Sequence, residues 1–406
     1  MKDVLALIRV HLCSSVAKLF LVFFVLTFVV AARADMASVL PVPPDPSAAL
    51  KLPSGFQANI FARLDPGGGS FVRGPRMMAF SPQGELYLSL GVDDKVVMLP
   101  DANMDGVADK VITVADRLNA PQGLAFVGDK LFVANQDGVV RLEHGRAIPV
   151  ISGLPSGGHT MKTLKLSPDG FLILNVGSSC NVCVENEPLR ATMLRYSVEG
   201  KPAGALQTLG RHAPSPIWAT GLRNTQGYAW HPKTGELFAT NNGADMRSGT
   251  KGGVVNDDLP PEHLNQIQAG GFYGWPYCWG NRFVDPNFSG DCSAMQSPAI
   301  TLPAHSTPIG IAFLDKATFP AEYRGDALVA LHGSWNRNQP SGYKVVRVHF
   351  EQAKPVSVSD FITGWLSSQG AWGRPVDVAV SPKGAVYVSD DRAGLVYRIV
   401  YTGAAK

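Results

Sequence analysis

Residues Val376–Asp390 read VDVAVSPKGAVYVSD. One alternating apolar run enters a Ser-Pro-Lys-Gly turn and a second one leaves it. Alternation with a period of two marks a strand buried on one face, and Pro followed by Gly marks the reversal between two such strands. The unit is therefore a β-hairpin. Four close copies lie upstream: AFSPQGELYLS (Ala79–Ser89), LAFVGDKLFVA (Leu124–Ala134), LKLSPDGFLILN (Leu164–Asn175) and YAWHPKTGELFAT (Tyr228–Thr240). A stretched copy pairs IGIAFLD (Ile309–Asp315) with DALVALHGS (Asp326–Ser334). Further strand patterns such as KVVMLP, GVVRLE, KVVRVHF and GLVYRIVY follow several copies. Six such units predict an all-β chain, a six-bladed β-propeller with loop insertions on one face. GFQANIFARL (Gly55–Leu64) is expected to close the ring against the last blade. A β-sandwich is the alternative; a solenoid is disfavoured because its units stack at uniform spacing and these do not.

Residues 1–34 read as a signal peptide. Lys2, Arg9 and Lys18 precede the apolar run Leu19–Ala32, and Ala32-Arg33-Ala34 offers small residues to a signal peptidase. The run falls short of the roughly 20 residues of a membrane span, although an uncleaved anchor is the alternative. Residues 35–50, with Pro41-Val42-Pro43-Pro44-Asp45-Pro46, read as an extended linker, and 51–406 as the propeller domain. The expected location is periplasmic or secreted. Charged residues make up 17 % of the chain and the net charge is +3 without basic blocks, so nucleic acid is not an expected partner. Of five cysteines, Cys13 lies in the leader. In an exported protein, the C-x-x-C of Cys180 and Cys183 and the nearby pair Cys278 and Cys292 read most naturally as two local disulfides. A four-cysteine zinc site and a redox pair are the alternatives.

Positions just before the first strand of a blade line the mouth of a propeller's channel. Here they hold Gln122, His159, Arg223, Asn224 and Arg374, convergent donors and an imidazole that suit a ligand site. Asp101, Asn103, Asp105 and Asp109, with Gly106 at the turn, have the oxygen spacing of a calcium loop. An EF-hand would carry an acid at the twelfth position, where Ile112 stands; a solvated turn is the alternative. Gly243 and Ala244 follow Asn241-Asn242 past a strand and could offer carbonyls to a hard cation. Asp257, Asp258 and Glu262 read as a solvated acidic loop. No P-loop, dinucleotide fingerprint or nucleophile elbow occurs.

These pieces together resemble the soluble pyrroloquinoline quinone (PQQ) dependent sugar dehydrogenases, the glucose/sorbosone dehydrogenase family, and most of all its sorbosone-dehydrogenase-like branch. The resemblance rests on Gln122-Gly123-Leu124, His159, Gly221-Leu-Arg-Asn-Thr-Gln-Gly227, Asn242-Gly243-Ala244, Asp257-Asp258 through Glu262, Gly270-Gly-Phe-Tyr-Gly-Trp-Pro276 and Gly373-Arg-Pro-Val-Asp377. It implies a propeller holding PQQ at the channel mouth and Ca²⁺ at the quinone edge. His159 would be the base that takes the substrate's hydroxyl proton, and Arg223 would steady charge on the quinone oxygen. Gln122, Asn224 and Arg374 would hold the cofactor, with Arg337 in the place of the family's fifth-blade Lys, and Gly243 and Ala244 would ligate Ca²⁺. Where members active on glucose carry a second Arg, this chain has Val376. The implied partners are a sugar or alcohol substrate and an electron acceptor. A calcium-dependent lactonase-type hydrolase and a non-catalytic binding propeller are the competing readings.

Overall fold

Three of the hairpin turns share the sequence Ser-Pro-x-Gly, and the computed structural model shows why. Ser81, Ser167 and Ser381 each turn their hydroxyl back to accept the backbone N–H four residues on, at 3.1, 2.9 and 3.1 Å. The closing Gly84, Gly170 and Gly384 sit at φ of 93°, 85° and 87°, left-handed values that residues with a Cβ adopt at a cost. The turns therefore set the register of the strands on either side.

The structure describes residues 37–65, 74–206 and 214–403. The expected signal peptide lies outside them. Among the described residues are six four-stranded antiparallel sheets, which form the six-bladed propeller. Each opens on the strand nearest the channel: Pro75–Phe80, Leu124–Val127, Leu164–Leu166, Thr225–Trp230, Pro308–Phe313 and Pro375–Val380 for blades 1 to 6. The sixth sheet takes its outer strand from the start of the domain, Phe56–Arg63, which pairs antiparallel with Leu395–Tyr401. This is the expected ring closure. The segment expected as an extended linker is packed instead. Leu40 and Lys51 donate backbone hydrogen bonds to Ala371 and Thr363 at 3.0 and 2.8 Å, and Ala37 and Leu50 are buried in the core of blades 5 and 6. No described helix is long and apolar enough to cross a membrane.

Adjacent blades meet closely at the hub. A Cβ on Gly227 would lie 1.9 Å from the carbonyl oxygen of Ile309, and one on Gly123 2.1 Å from the backbone nitrogen of Leu164. Met77, Ile309 and Val376 then fill the channel as a buried apolar plug. Both expected disulfides are present, Cys180–Cys183 and Cys278–Cys292. The second ties the long insertion between the last two strands of blade 4.

The Gly227→Ala variant should lose about 3 kcal/mol or more, the upper range for overpacking a rigid site. Urea denaturation measures this; a loss below about 0.5 kcal/mol, the scale of an inconsequential surface substitution, would contradict the packing described.

Candidate active site

Four of the six inner strands shift register against their neighbour near their first residues, between 75 and 78, 225 and 228, 308 and 311, and 375 and 378. Such irregularities re-aim side chains. At this end of the channel they accompany a polar cavity of about 240 Å³. Arg76, Asn224, Gln226, Thr307 and Arg374 reach it from the strand starts. His159 enters from the loop before blade 3, while Gly243, Asp245, Glu262, His332 and Asn336 complete the wall from blades 4 and 5.

Three buried guanidinium groups face this space. Arg223 is the most constrained: Nη1 donates to the Gly243 carbonyl at 2.6 Å, Nη2 to Asp245 Oδ2 and Asn181 Oδ1 at 2.8 Å each, and Nε to the Asn181 carbonyl at 3.1 Å. Arg374 donates to the carbonyls of His332 and Gly333 at 3.1 and 2.7 Å. Arg76 pairs with Asp391 at 2.6 Å, and its Nε is buried without an acceptor. His332 Nε2 lies 2.9 Å from the same carboxylate. Burial pushes Asp391 up, but His332, Arg76 and Arg374 outweigh it and hold the carboxyl below its usual range. Three cations thus share two carboxylates: Asp245 pairs with Arg223, while Asp391 faces both Arg76 and Arg374. Glu262 adds little negative charge at neutral pH, because burial pushes its carboxyl up to about 8. The cavity favours an anionic guest.

His159 is delivered by the turn Pro155-Ser-Gly-Gly. A Cβ on Gly158, at φ 60°, would lie 2.5 Å from the Ser178 carbonyl oxygen, so only glycine lets the loop approach. The ring's Nδ1 lies 3.1 Å from that carbonyl and 2.9 Å from Ser178 Oγ. A carbonyl only accepts, so Nδ1 carries the proton and Nε2 keeps its lone pair. Burial, reinforced by Arg223, pushes the imidazole down to about 4. At neutral pH it is an uncharged acceptor held in one tautomer.

The remaining expected residues fall differently. Gln122 is buried away from the cavity lining; it donates to Gln226 Oε1 at 3.1 Å, and Gln226 donates to Asn224 Oδ1 at 2.5 Å. It therefore supports the lining from behind. Arg337 lies outside the cavity, drawn to Asp258 at 2.9 Å and the Ala304 carbonyl at 3.0 Å. His332, earlier in the same blade-5 loop, lines the cavity instead. Gly243 lines the cavity, whereas Ala244 is buried beside a separate small void. Glu262 is no solvated loop acid: it begins a strand, is buried, and accepts the Gly243 N–H at 2.5 Å. The Asp101–Asp109 loop is remote from the cavity. Its side chains accept its own amides, with Asp101 Oδ2 taking Gly106 N–H at 3.1 Å and Asp109 Oδ2 taking Ala102 N–H at 2.8 Å. The carboxylates of Asp101, Asp105 and Asp109 do not gather within 4.8 Å of one another.

Arg76, Asp245, Asp391 and Asn336 were not anticipated. Arg76 had a signal: Gly74-Pro75-Arg76 stands before the first hairpin much as Gly373-Arg374-Pro375 stands before the sixth. Asp391→Ala strands the buried Arg76 charge and should cost about 3–5 kcal/mol by chemical denaturation. A loss under about 1 kcal/mol, the worth of an exposed pair, would show that the pair is not buried as described.

Several known proteins resemble this chain. The TrAA12-like family profile matches residues 51–287 and 285–402. An uncharacterized protein of Borreliella burgdorferi is 26% identical over 378 residues, covering 87% of this chain and 91% of its own length. The pyrroloquinoline quinone-dependent pyranose dehydrogenase of Coprinopsis cinerea is 26% identical over 305 residues, 62% of this chain, which spans only 40% of that protein's length. Among solved structures, the calcium structure of Trichoderma reesei Carbohydrate-Active Enzymes Family AA12 superimposes with a TM-score of 0.73 at 20% identity, over 90% of this chain and 100% of its own. The holo PQQ domain of the Coprinopsis cinerea pyranose dehydrogenase gives 0.72 at 21% identity, also over 90% and 100%. Matched by the profile from Lys51 to Thr402 around a six-bladed ring, this chain belongs to the TrAA12-like family, and it shares the fold of the soluble PQQ-dependent sugar dehydrogenases.

Proposed function

We propose that the chain is an exported PQQ-dependent dehydrogenase that oxidises a sugar or polyol at the polar end of its channel. One juxtaposition carries this reading: three buried guanidinium groups converge on a cavity whose one well-oriented neutral imidazole presents a free Nε2. PQQ bears three carboxylates and an ortho-quinone, and the protein's task toward such a group is orientation and electrostatics. The lining fits it. The unpartnered Nε of Arg76 needs an acceptor, and Arg76 and Arg374 are the cations for carboxylates, with Asn224 as an amide contact. Arg76 also supplies from blade 1 a guanidinium that the sequence lacks at Val376, whose side chain belongs to the apolar plug. When bound, PQQ supplies a two-electron acceptor for hydride.

The protein's own groups do the rest. His159 Nε2 takes the hydroxyl proton of the substrate, while Ser178 holds the opposite ring nitrogen. Arg223, fixed by its bonds to Asp245, Gly243 and Asn181, places positive charge where an oxygen becomes anionic. For Ca²⁺ the neighbouring wall offers Asn242 Oδ1 and Asn336 Oδ1, buried acceptors without a donor; a hard cation takes such oxygens. The relative's action on a pyranose points to the substrate class, and the two disulfides suit an oxidising compartment. A calcium-dependent lactonase would need free carboxylates converging on the metal. Here Asp245 is paired with Arg223, and burial pushes the Glu262 carboxyl up to about 8.

Purified mature protein given PQQ and Ca²⁺ should reduce an artificial electron acceptor with some member of a panel of sugars and polyols. His159→Ala should lower kcat by about 10²–10⁴-fold while PQQ affinity, measured by calorimetry, changes little; undiminished kcat would rule His159 out as base. The pH profile gives a separate check. Because the ring sits near 4 rather than 6.5, it stays unprotonated as pH falls through 6, so kcat/KM should hold there and drop only at lower pH. An acid limb centred at 6.5 or above would contradict the burial of His159.

A further inference from the structure

Asn181 is an exposed residue in a loop without regular secondary structure, yet every polar side-chain atom and its carbonyl are engaged. Its carbonyl accepts from Arg223 Nε and Trp275 Nε1 at 3.1 and 3.0 Å. Its Oδ1 accepts from Arg223 Nη2 and the Asp245 N–H at 2.8 and 2.7 Å, and its Nδ2 donates to the Asp245 carbonyl at 2.9 Å. Two of these partners, Arg223 and Asp245, line the cavity. Three residues before it, Ser178 holds His159 Nδ1, accepts the His159 N–H at 2.9 Å and donates its own N–H to the Arg223 carbonyl at 2.8 Å. Ser178 Oγ also donates to the Cys180 carbonyl at 2.7 Å. Four residues, 178–181, thus hold both the imidazole and the most constrained guanidinium.

An exposed loop does not hold such an arrangement without restraint, since ordering each residue costs conformational entropy. The Glu185 carboxylate, which accepts the Ser179 N–H and hydroxyl at 2.6 and 2.8 Å, is one restraint; the covalent one is the Cys180–Cys183 bridge, which closes a ring around Asn181. We propose that this ring is a positioning device for the cavity, and that opening it by reduction weakens the hold on an anionic ligand and loosens His159. The identity of that ligand as PQQ rests on the function proposed above. The positions of the side chains do not. Cys180 and Cys183 are partly exposed, while Cys278 and Cys292 are buried at 4 % and 6 % exposure. A water-soluble phosphine should therefore open the first bridge under native conditions and spare the second. The phosphine gives two electrons to the disulfide and leaves as its oxide with oxygen from water, and the two protons of that water complete the thiols.

The experiment treats the folded protein with such a phosphine, blocks the freed thiols and maps them by mass spectrometry. Label on Cys180 and Cys183 alone should accompany at least a tenfold loss of PQQ affinity by calorimetry, reversed when an unblocked sample is reoxidised. Asn181→Ala, with the bridge intact, should give a loss of similar size. A second readout needs no cofactor: the His159 ring, titrated by NMR, should move up from about 4 toward 6.5 when the bridge opens. Unchanged affinity and an unchanged titration with the bridge open would overturn the proposal. If the untreated protein binds no PQQ, the proposed function fails, and the His159 titration alone still decides for or against the ring.

Discussion

Each blade of this propeller turns an unpaired strand edge toward the channel, and the backbone groups on that edge must find partners in the next blade. Buried amides and carbonyls left without partners are rare in folded proteins because they are costly. Here the neighbouring blade answers them. Thr240 of blade 4 donates to the Ile309 carbonyl of blade 5 at 2.8 Å, and Ser389 of blade 6 donates to the Arg76 carbonyl of blade 1 at 2.7 Å. Asp377 of blade 6 accepts the Met78 N–H at 2.8 Å, and Tyr228 of blade 4 donates to the Thr163 and Ile173 carbonyls of blade 3 at 2.7 and 2.8 Å. Glycines at 123 and 227 bring the strands close enough for this. The same contacts fix where the strands begin, and the strand starts carry Arg76, Asn224 and Arg374. Ring closure and the placement of the polar groups are one problem with one solution.

The hub also divides the channel chemically. On one side of the plug of Met77, Ile309 and Val376 lies the cationic cavity. On the other opens a wider space of about 770 Å³, lined by Phe80, Phe126, Tyr228, Trp230, Phe313 and Val380. Its greater size does not make it the proposed site. Catalysis needs fixed charges and oriented donors, and the buried Arg–carboxylate pairs Arg76–Asp391 and Arg223–Asp245 are both on the cationic side.

Much of the fold was legible because hairpin alternation, repeated six times, and the Ser-Pro-x-Gly turn, present in three of the hairpins, are local signals. The closing strand was legible because a propeller without one leaves an open edge. His159, Arg223, Asn224 and Arg374 were found by their place before a strand, and the structure brings all four to one cavity. What could not be read depended on long-range partners. Asp391 lies past the end of a strand, and only the closed ring brings it to Arg76, 315 positions away in sequence. Arg337 looked like a cofactor contact, but the acidic loop at Asp258 competes for it. Gln122 stands at the right place before a strand, yet it is buried behind Gln226 and works through it. Glu262 looked solvated because it follows the acidic loop of Asp257 and Asp258; a strand begins at that residue and takes it inside.

In the proposed function the cationic mouth, and not the larger apolar one, receives an anionic quinone. A crystal structure of the protein grown with saturating PQQ and Ca²⁺ tests it directly. Quinone density is expected in the cavity bounded by Arg76, Arg223, Arg374 and His159, with carboxylates on the guanidinium groups. Density at the apolar mouth, or a cationic cavity that stays empty at saturating PQQ, would contradict it.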